Sequence, residues 1–274
     1  MAAQALVRYR MDSTETQDGR DSVFIFSPIA SYTSPLNLFS PGPDQDNDLR
    51  DLMKNEVVAM AISPDGRRFA TVFNKAEGHM VAEILLRTDG LREYRILSPP
   101  GPPVSAVEYA ASGFTVAIER NPDDRMRQLW LASSLEESEV LLAEGPFAVA
   151  PGAIHPQGHS AVLSVQQLND ENEIRIYRQG QPESPLVLGS GQYPSWHPSG
   201  DSIIAVVLDE RQRFQVVAYE ADEPFRKRRL THYEHGLKPY CVTSGNGEWA
   251  LVALEGVDSR YPHIGLISLS RATW

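Results

Sequence analysis

Few side chains in this sequence could do chemistry, and they lie far apart. The stretch THYEHG places His232, Glu234 and His235 together, and these are donor types that can hold zinc. Such a site needs a third histidine or a spaced pair, and the surrounding sequence offers neither. The acidic run DQDNDLRDLMKNE (44–56) hints at a calcium loop, but Leu49 stands where that loop needs glycine and Asn55 where it needs a bidentate glutamate. It reads instead as a turn of helix with Asp48 as its N-cap. LGSGQ (188–192) lacks the spacing of a nucleophile elbow. The sole cysteine, Cys241, falls in an apolar run and reads as a small core residue. No glycine-rich phosphate loop appears. His155 and His197 each precede a proline in a turn, where an imidazole can bond to the turn backbone. His159 follows His155 by four residues, but the chain turns between them. The expectation is no catalytic residue, no cofactor and no metal.

Bulk properties narrow the partners. The chain has 274 residues and a net charge of −11, which argues against general affinity for nucleic acid. One basic run, Arg226, Lys227, Arg228 and Arg229, begins an expected outer strand and reads first as a solvated edge, second as a contact for an acidic partner or an anionic membrane surface. A single cysteine excludes an intrachain disulfide, which suits a reducing compartment. The N-terminal residues lack the apolar core of a signal peptide, and no stretch of about 18 apolar residues exists to span a membrane. The expected location is the cytoplasm.

The elements that must position these residues come from a repeat. AISPDGRRFATVF (61–73) returns in degraded form as VEYAASGFTVAIE (107–119), AIHPQGHSAVLSV (153–165), SWHPSGDSIIAVV (195–207) and CVTSGNGEWALVA (241–253). The turn glycines are Gly66, Gly113, Gly158, Gly200 and Gly247, so the steps are 47, 45, 42 and 47 residues, the mark of a repeat architecture. The residues matching Asp65 are Ser112, Gln157, Ser199 and Asn246. They share no charge, only fitness for a tight turn before a glycine at positive φ. Asp65 therefore reads as a turn residue rather than a ligand or an acid. Each period holds four strand-like runs and no sustained helical periodicity. Four antiparallel strands per 40–50 residues make one propeller blade. SPPGPP (98–103), between the first two periods, reads as a loop and not as strand or helix.

SPDGRRFATVF resembles the S-P-D-G repeat of the TolB-like, PD40-type β-propeller family, as does RRLTHYEHGLKPYCVTSGNGEWALVAL (228–254). The resemblance covers about 57–269. It implies an all-β propeller, with WD40-like blades but no Trp-Asp dipeptide. Propellers of this type can be fused to a serine peptidase domain; here the blades are expected to use the whole chain. The expected organisation is a single domain, 1–274. Residues 1–42 would supply strands that close the ring, 43–56 a linker, 57–236 four full blades and 237–274 an incomplete last blade. The expected count is six blades, with five as the alternative. LVRYRM (6–11), SVFIFSP (22–28) and LNLFSPG (36–42) are the N-terminal strand candidates. Without a catalytic constellation, the functional expectation is a protein-interaction scaffold or accessory subunit. A channel-sited hydrolase or lyase, or a small-molecule or glycan binder, is the alternative. Arg125, Arg127, Tyr233 and Tyr240, with the basic run 226–229, are of the types that dominate interfaces and are the expected partner-binding residues.

Overall fold

The computed structural model describes residues 5–7, 24–26, 51–52, 54–86, 92–135, 138–150, 152–167, 171–222, 226–232, 237–254 and 263–269. The chain divides into two compact units, 1–55 and 56–274. In the first unit, β1 (Ala5–Val7) pairs antiparallel with β2 (Phe24–Phe26); β1 overlaps the expected run LVRYRM at Leu6 and Val7, and β2 lies inside SVFIFSP. Lys54 N–H bonds to the Asp51 carbonyl (3.3 Å) and Asn55 N–H to that of Leu52 (3.1 Å), the expected turn of helix. Asp48 and LNLFSPG lie outside the described residues.

The second unit is a succession of antiparallel sheets, each laid down in chain order. The first sheet is β3 (Glu56–Ile62), β4 (Arg68–Lys75), β5 (Gly78–Leu86) and β6 (Arg92–Gly101). The second is β7 (Val104–Tyr109), β8 (Thr115–Arg120), β9 (Arg127–Ser133) and β10 (Glu139–Gly145). The third is β11 (Phe147–Ala148), β12 (Ser160–Gln166), β13 (Asn172–Arg178) and β14 (Gln181–Ser190). The fourth is β15 (Gln192–Trp196), β16 (Ser202–Leu208), β17 (Phe214–Glu220) and β18 (Lys227–Arg229). The fifth has three strands among the described residues: β19 (Leu237–Thr243), β20 (Trp249–Leu254) and β21 (His263–Ser268). These sheets are the blades read from the glycine spacing.

Packing between sheets explains the strand sequences. SAVLSVQ (β12) and SIIAVVL (β16) do not alternate, because all but the last residue of each is buried. Separate apolar clusters join successive sheets. Val72 and Val81 of the first sheet meet Val116 and Ile118 of the second. Leu129 and Leu131 meet Leu163. Ile174 and Ile176 meet Ile203 and Val217. Ile204 and Val206 meet Cys241 and Val252. The second, third and fourth sheets are thus each sandwiched between two neighbours, as blades are.

The first strand of a sheet is also bent. The β3, β7, β15 and β19 registers each shift near their start, between Val57 and Ala59, Val104 and Ala106, Gln192 and Ser195, and Lys238 and Cys241. These are β-bulges, which twist a strand and leave a residue unpaired. Pro194 and Pro239 fall inside two of them, where a missing N–H costs nothing. Tyr193 beside Pro194 has φ +50°, a conformation a bulky residue rarely takes.

One expectation needs correction. SPPGPP is not all loop: β6 runs on through Ser98, Pro99, Pro100 and Gly101, and Gly101 pairs with His79. An edge strand tolerates proline because its outward N–H has no ladder partner to lose.

Chain order fixes which loops share an end. The S-P-D-G-type turns and the third-to-fourth-strand connections open at one end of the sheets, the turn end. The second-to-third hairpins and the sheet-to-sheet connections open at the other, the hairpin end. Among the described residues no helix is long and apolar enough to cross a membrane.

Candidate functional site

At the turn end, Asp65 makes a turn. Its Oδ1 accepts the Ser63 hydroxyl (2.5 Å) and the Arg67 N–H (3.1 Å), while Ser63 Oγ accepts the Arg68 N–H (2.9 Å). The fifth sheet repeats the device with a neutral residue. Asn246 Oδ1 accepts the Ser244 hydroxyl (2.7 Å) and the Glu248 N–H (3.2 Å), and Ser244 Oγ accepts the Trp249 N–H (3.1 Å). An amide oxygen therefore makes the turn bonds that Asp65 Oδ1 makes; Asp65 Oδ2 adds only a half-exposed pair with Arg68 at 3.4 Å. Asp65→Asn should change unfolding free energy by less than about 0.5 kcal/mol, measured by urea titration. A loss of several kcal/mol, or of a metal-dependent property, would show a role beyond the turn.

The turn glycines, Gly66, Gly113, Gly158, Gly200 and Gly247, have φ between +71° and +82°. Four of them also meet the preceding sheet. A Cβ on Gly113 would lie 3.3 Å from Pro64, one on Gly158 would lie 2.3 Å from Thr115 Oγ1, and ones on Gly200 and Gly247 would lie 2.8 and 2.6 Å from Nε2 of His155 and His197. The histidines are seam residues. His197 Nε2 bonds to the Gly247 carbonyl at 2.9 Å, and its Nδ1 accepts the Ser199 N–H at 3.2 Å. His155 Nδ1 accepts the Gln157 N–H at 3.1 Å, and its ring stands edge-on to Trp196 with centroids 4.6 Å apart. His232 is described, but Glu234 and His235 lie outside the described residues. Among the described residues no group of three or more His, Cys, Asp or Glu could hold a metal ion.

Buried ionisable groups also serve the seams. Glu83 of β5, 4% exposed, accepts two bonds from Arg95 (2.9 and 2.5 Å), the Tyr109 hydroxyl (2.8 Å) and the Ser134 hydroxyl (2.7 Å). This ties the first sheet to the second. Burial, and then the Glu83 charge, raise the Tyr109 phenol well above its usual range. Cys241 is fully buried, and burial pushes its thiol up to about 12, so it is not a nucleophile near neutrality. Glu108 of β7 accepts the Gly152 N–H (2.9 Å), and burial pushes its carboxyl up to about 7.

The hairpin end has a different character. Arg120, the last residue of β8, is 4% exposed. Its Nη1 donates to the carbonyls of His79 (3.2 Å) and Pro102 (2.7 Å); its Nη2 donates to the Pro99 carbonyl (2.9 Å) and the Ser98 hydroxyl (2.6 Å). Ser98 in turn donates to Glu139 (2.6 Å), the negative charge that offsets the guanidinium. The Pro103 carbonyl accepts the Asn121 N–H (2.8 Å). The segment 98–103 is thereby fixed from beneath, with Pro99, Pro100, Pro102 and Pro103 exposed. Beside it, Asp123 Oδ1 accepts the N–H groups of Arg125 and Met126, both at 2.8 Å, and Arg127 pairs with Glu119. In the fourth sheet Asp209 gathers Arg213 (3.2 Å) and Arg229 (3.1 Å).

The expected partner-binding residues therefore divide. Arg125 and Arg127 stand on the second sheet's hairpin. Lys227 to Arg229 form the outermost strand of the fourth sheet, and Arg226 stands just before it. There Arg226 pairs with Glu220 (2.7 Å), Arg229 pairs with Asp209, and the Lys227 ammonium lies 5.5 Å from the centroid of the Tyr219 ring. Tyr240 lies in β19, whose connection from the fourth sheet opens at the hairpin end. Tyr233 lies outside the described residues. Arg120, absent from the sequence expectations, is the group that organises the proline segment.

No protein-family model and no curated protein matches the sequence. Solved structures do. The fold is a TolB-like β-propeller. The putative TolB from Agrobacterium tumefaciens superposes with a TM-score of 0.55 at 16% identity, over 78% of each chain. The β-propeller domain of the Trilobed protease from Pyrococcus furiosus gives 0.53 at 13%, over 79% of this chain and 70% of that one. A puromycin-hydrolyzing peptidase of Mycobacterium tuberculosis gives 0.57 at 11%, over 80% of this chain but only 37% of the peptidase. Identities this low carry the fold and nothing finer.

Proposed function

We propose that the protein is a non-catalytic propeller that binds a protein partner through its hairpin end, as a scaffold or accessory subunit of a larger assembly. The observation that carries this is the proline segment 98–103, exposed above and held below by buried Arg120. A surface already ordered loses little entropy when a partner covers it. Arg125 and Arg127 flank it, and Tyr240 belongs to the same end. Arg226, Lys227, Arg228 and Arg229 join only if the partner reaches the outer edge. Most of the groups with chemical potential elsewhere are committed to turns and seams, which favours binding over turnover.

The test is affinity purification from the native source, with the intact chain and with Pro102→Ser/Pro103→Ser as bait. A partner should come down with the intact chain and be depleted about tenfold or more with the variant. Retention should also weaken as salt rises, through screening of Arg125 and Arg127. One observation favours the alternative, a channel-sited enzyme. The Glu108 carboxyl, near neutrality and on the first strand of its sheet, has the proton affinity of a general acid or base. A free monomer that turns over a small substrate, and loses that turnover in Glu108→Gln, would replace the scaffold reading.

A further inference from the structure

The two turn histidines look like copies of one another, but they differ in what a second proton would meet. We propose that His155 is an acid-released latch between the third and fourth sheets, and that its twin His197, between the fourth and fifth, is protected from acid by Ser199.

Each ring holds its own turn through Nδ1 and leans on the next sheet's turn glycine through its Nε2 side. In His197, Nδ1 accepts the Ser199 N–H, so the proton sits on Nε2 and is donated to the Gly247 carbonyl. A second proton on Nδ1 has a ready acceptor, because Ser199 Oγ lies 2.7 Å away. The hydroxyl turns its lone pair toward the new N–H and the seam holds. In His155 the corresponding position is Gln157. The Nδ1 neighbour shown by the structure is the Gln157 N–H at 3.1 Å, a donor. Protonation would set N–H against N–H, and that clash must move the ring or the turn.

The surroundings reinforce the difference. His155 is buried against the Trp196 edge, and the His159 ring lies 4.1 Å away by centroid. Burial first, and His159 second, push the His155 imidazole down to about 4, against the opposing pull of the Gly200 backbone, Asp201 and Asp222. The sign follows. A histidine whose folded pKa lies below its unfolded value binds more protons when unfolded. Its contribution to stability is complete above about pH 6.5 and is lost progressively toward pH 4. The ring leans on Gly200, where a Cβ would come within 2.8 Å of Nε2, so ring displacement is transmitted directly to the fourth sheet's turn.

The swap experiment separates this from a merely buried histidine. Gln157 is exposed, and Ser112 and Ser199 hold the matching turn position in two other sheets, so Gln157→Ser should fold. Histidine-labelled NMR should show His155 titrating near pH 4 in the intact protein. In Gln157→Ser it should titrate at least one unit higher, a tenfold gain in proton affinity. The fall in melting temperature between pH 7 and pH 4.5 should shrink in parallel. The mirror variant, Ser199→Ala, which removes the hydroxyl beside His197 Nδ1, should enlarge the acid-induced fall in melting temperature. A His155 that titrates above pH 6, or a Gln157→Ser protein with unchanged titration, would overturn the latch. An acid-induced fall that is unchanged in Ser199→Ala would overturn the protection.

Discussion

Glu83→Ala should cost about 3 kcal/mol of stability or more, among the largest losses expected from a single side chain outside the apolar core. The carboxylate is buried and accepts four hydrogen bonds, from Arg95, Tyr109 and Ser134. Arg95 is partly exposed, so its guanidinium can recover water. Tyr109 and Ser134 are buried and lose their acceptor with nothing to replace it. These two belong to the second sheet, so the loss falls on the seam. Glu83→Gln keeps the volume and one acceptor and should lie in between. Urea unfolding at 25 °C checks both. A cost below about 1 kcal/mol for the alanine variant would mean that the seam does not depend on this network.

Gly158→Ala should cost roughly 2–5 kcal/mol, the sum of two separable penalties. A left-handed backbone costs a non-glycine residue about 1–2 kcal/mol, and overfilling a packed site costs about 1–3 kcal/mol. Gly158 incurs both, since its φ is +82° and the added Cβ would sit 2.3 Å from Thr115 Oγ1 and 2.5 Å from Thr115 Cβ. Two other glycines are controls. Gly180 has φ +81° and open space, so Gly180→Ala should show the backbone penalty alone. Gly245 has open space and no positive φ, and Gly245→Ala should be nearly neutral. Thermal melts of the three should rank Gly158, Gly180, Gly245. Equal losses at Gly158 and Gly180 would show that Thr115 yields and that the close approach carries no energy.

The propeller was legible because its strongest signals are local. A glycine every 42 to 47 residues, with a proline or a small polar residue before it, marks turns that follow from backbone preference alone. The role of Asp65 was legible for the same reason: Ser112, Ser199 and Asn246 show what the position needs. The seams were not. Glycine was expected for its φ, and the sequence does not show that Thr115, His155 and His197 press on the next turn from another sheet. The structural reading of the histidines held for Nδ1, which does bond the turn backbone. The Nε2 partner is some fifty residues away and invisible to local reasoning. Arg120 left a faint trace. It closes the apolar run FTVAIER, where strand burial continues to the last residue, and a charge there needs acceptors. Two of those acceptors are the Pro99 and Pro102 carbonyls of SPPGPP, a segment read as loop because prolines cannot donate, although they accept well.

We propose that the protein works through contact at the hairpin end. Hydrogen exchange tests it most directly, comparing the free chain with the complex recovered from the native source. Protection should rise at the amides of Ser98, Gly101 and residues 119–128, and stay unchanged at the S-P-D-G-type turns around Gly66, Gly113, Gly158, Gly200 and Gly247. Protection confined to those turns, with none on the proline segment or the Arg125 hairpin, would contradict it.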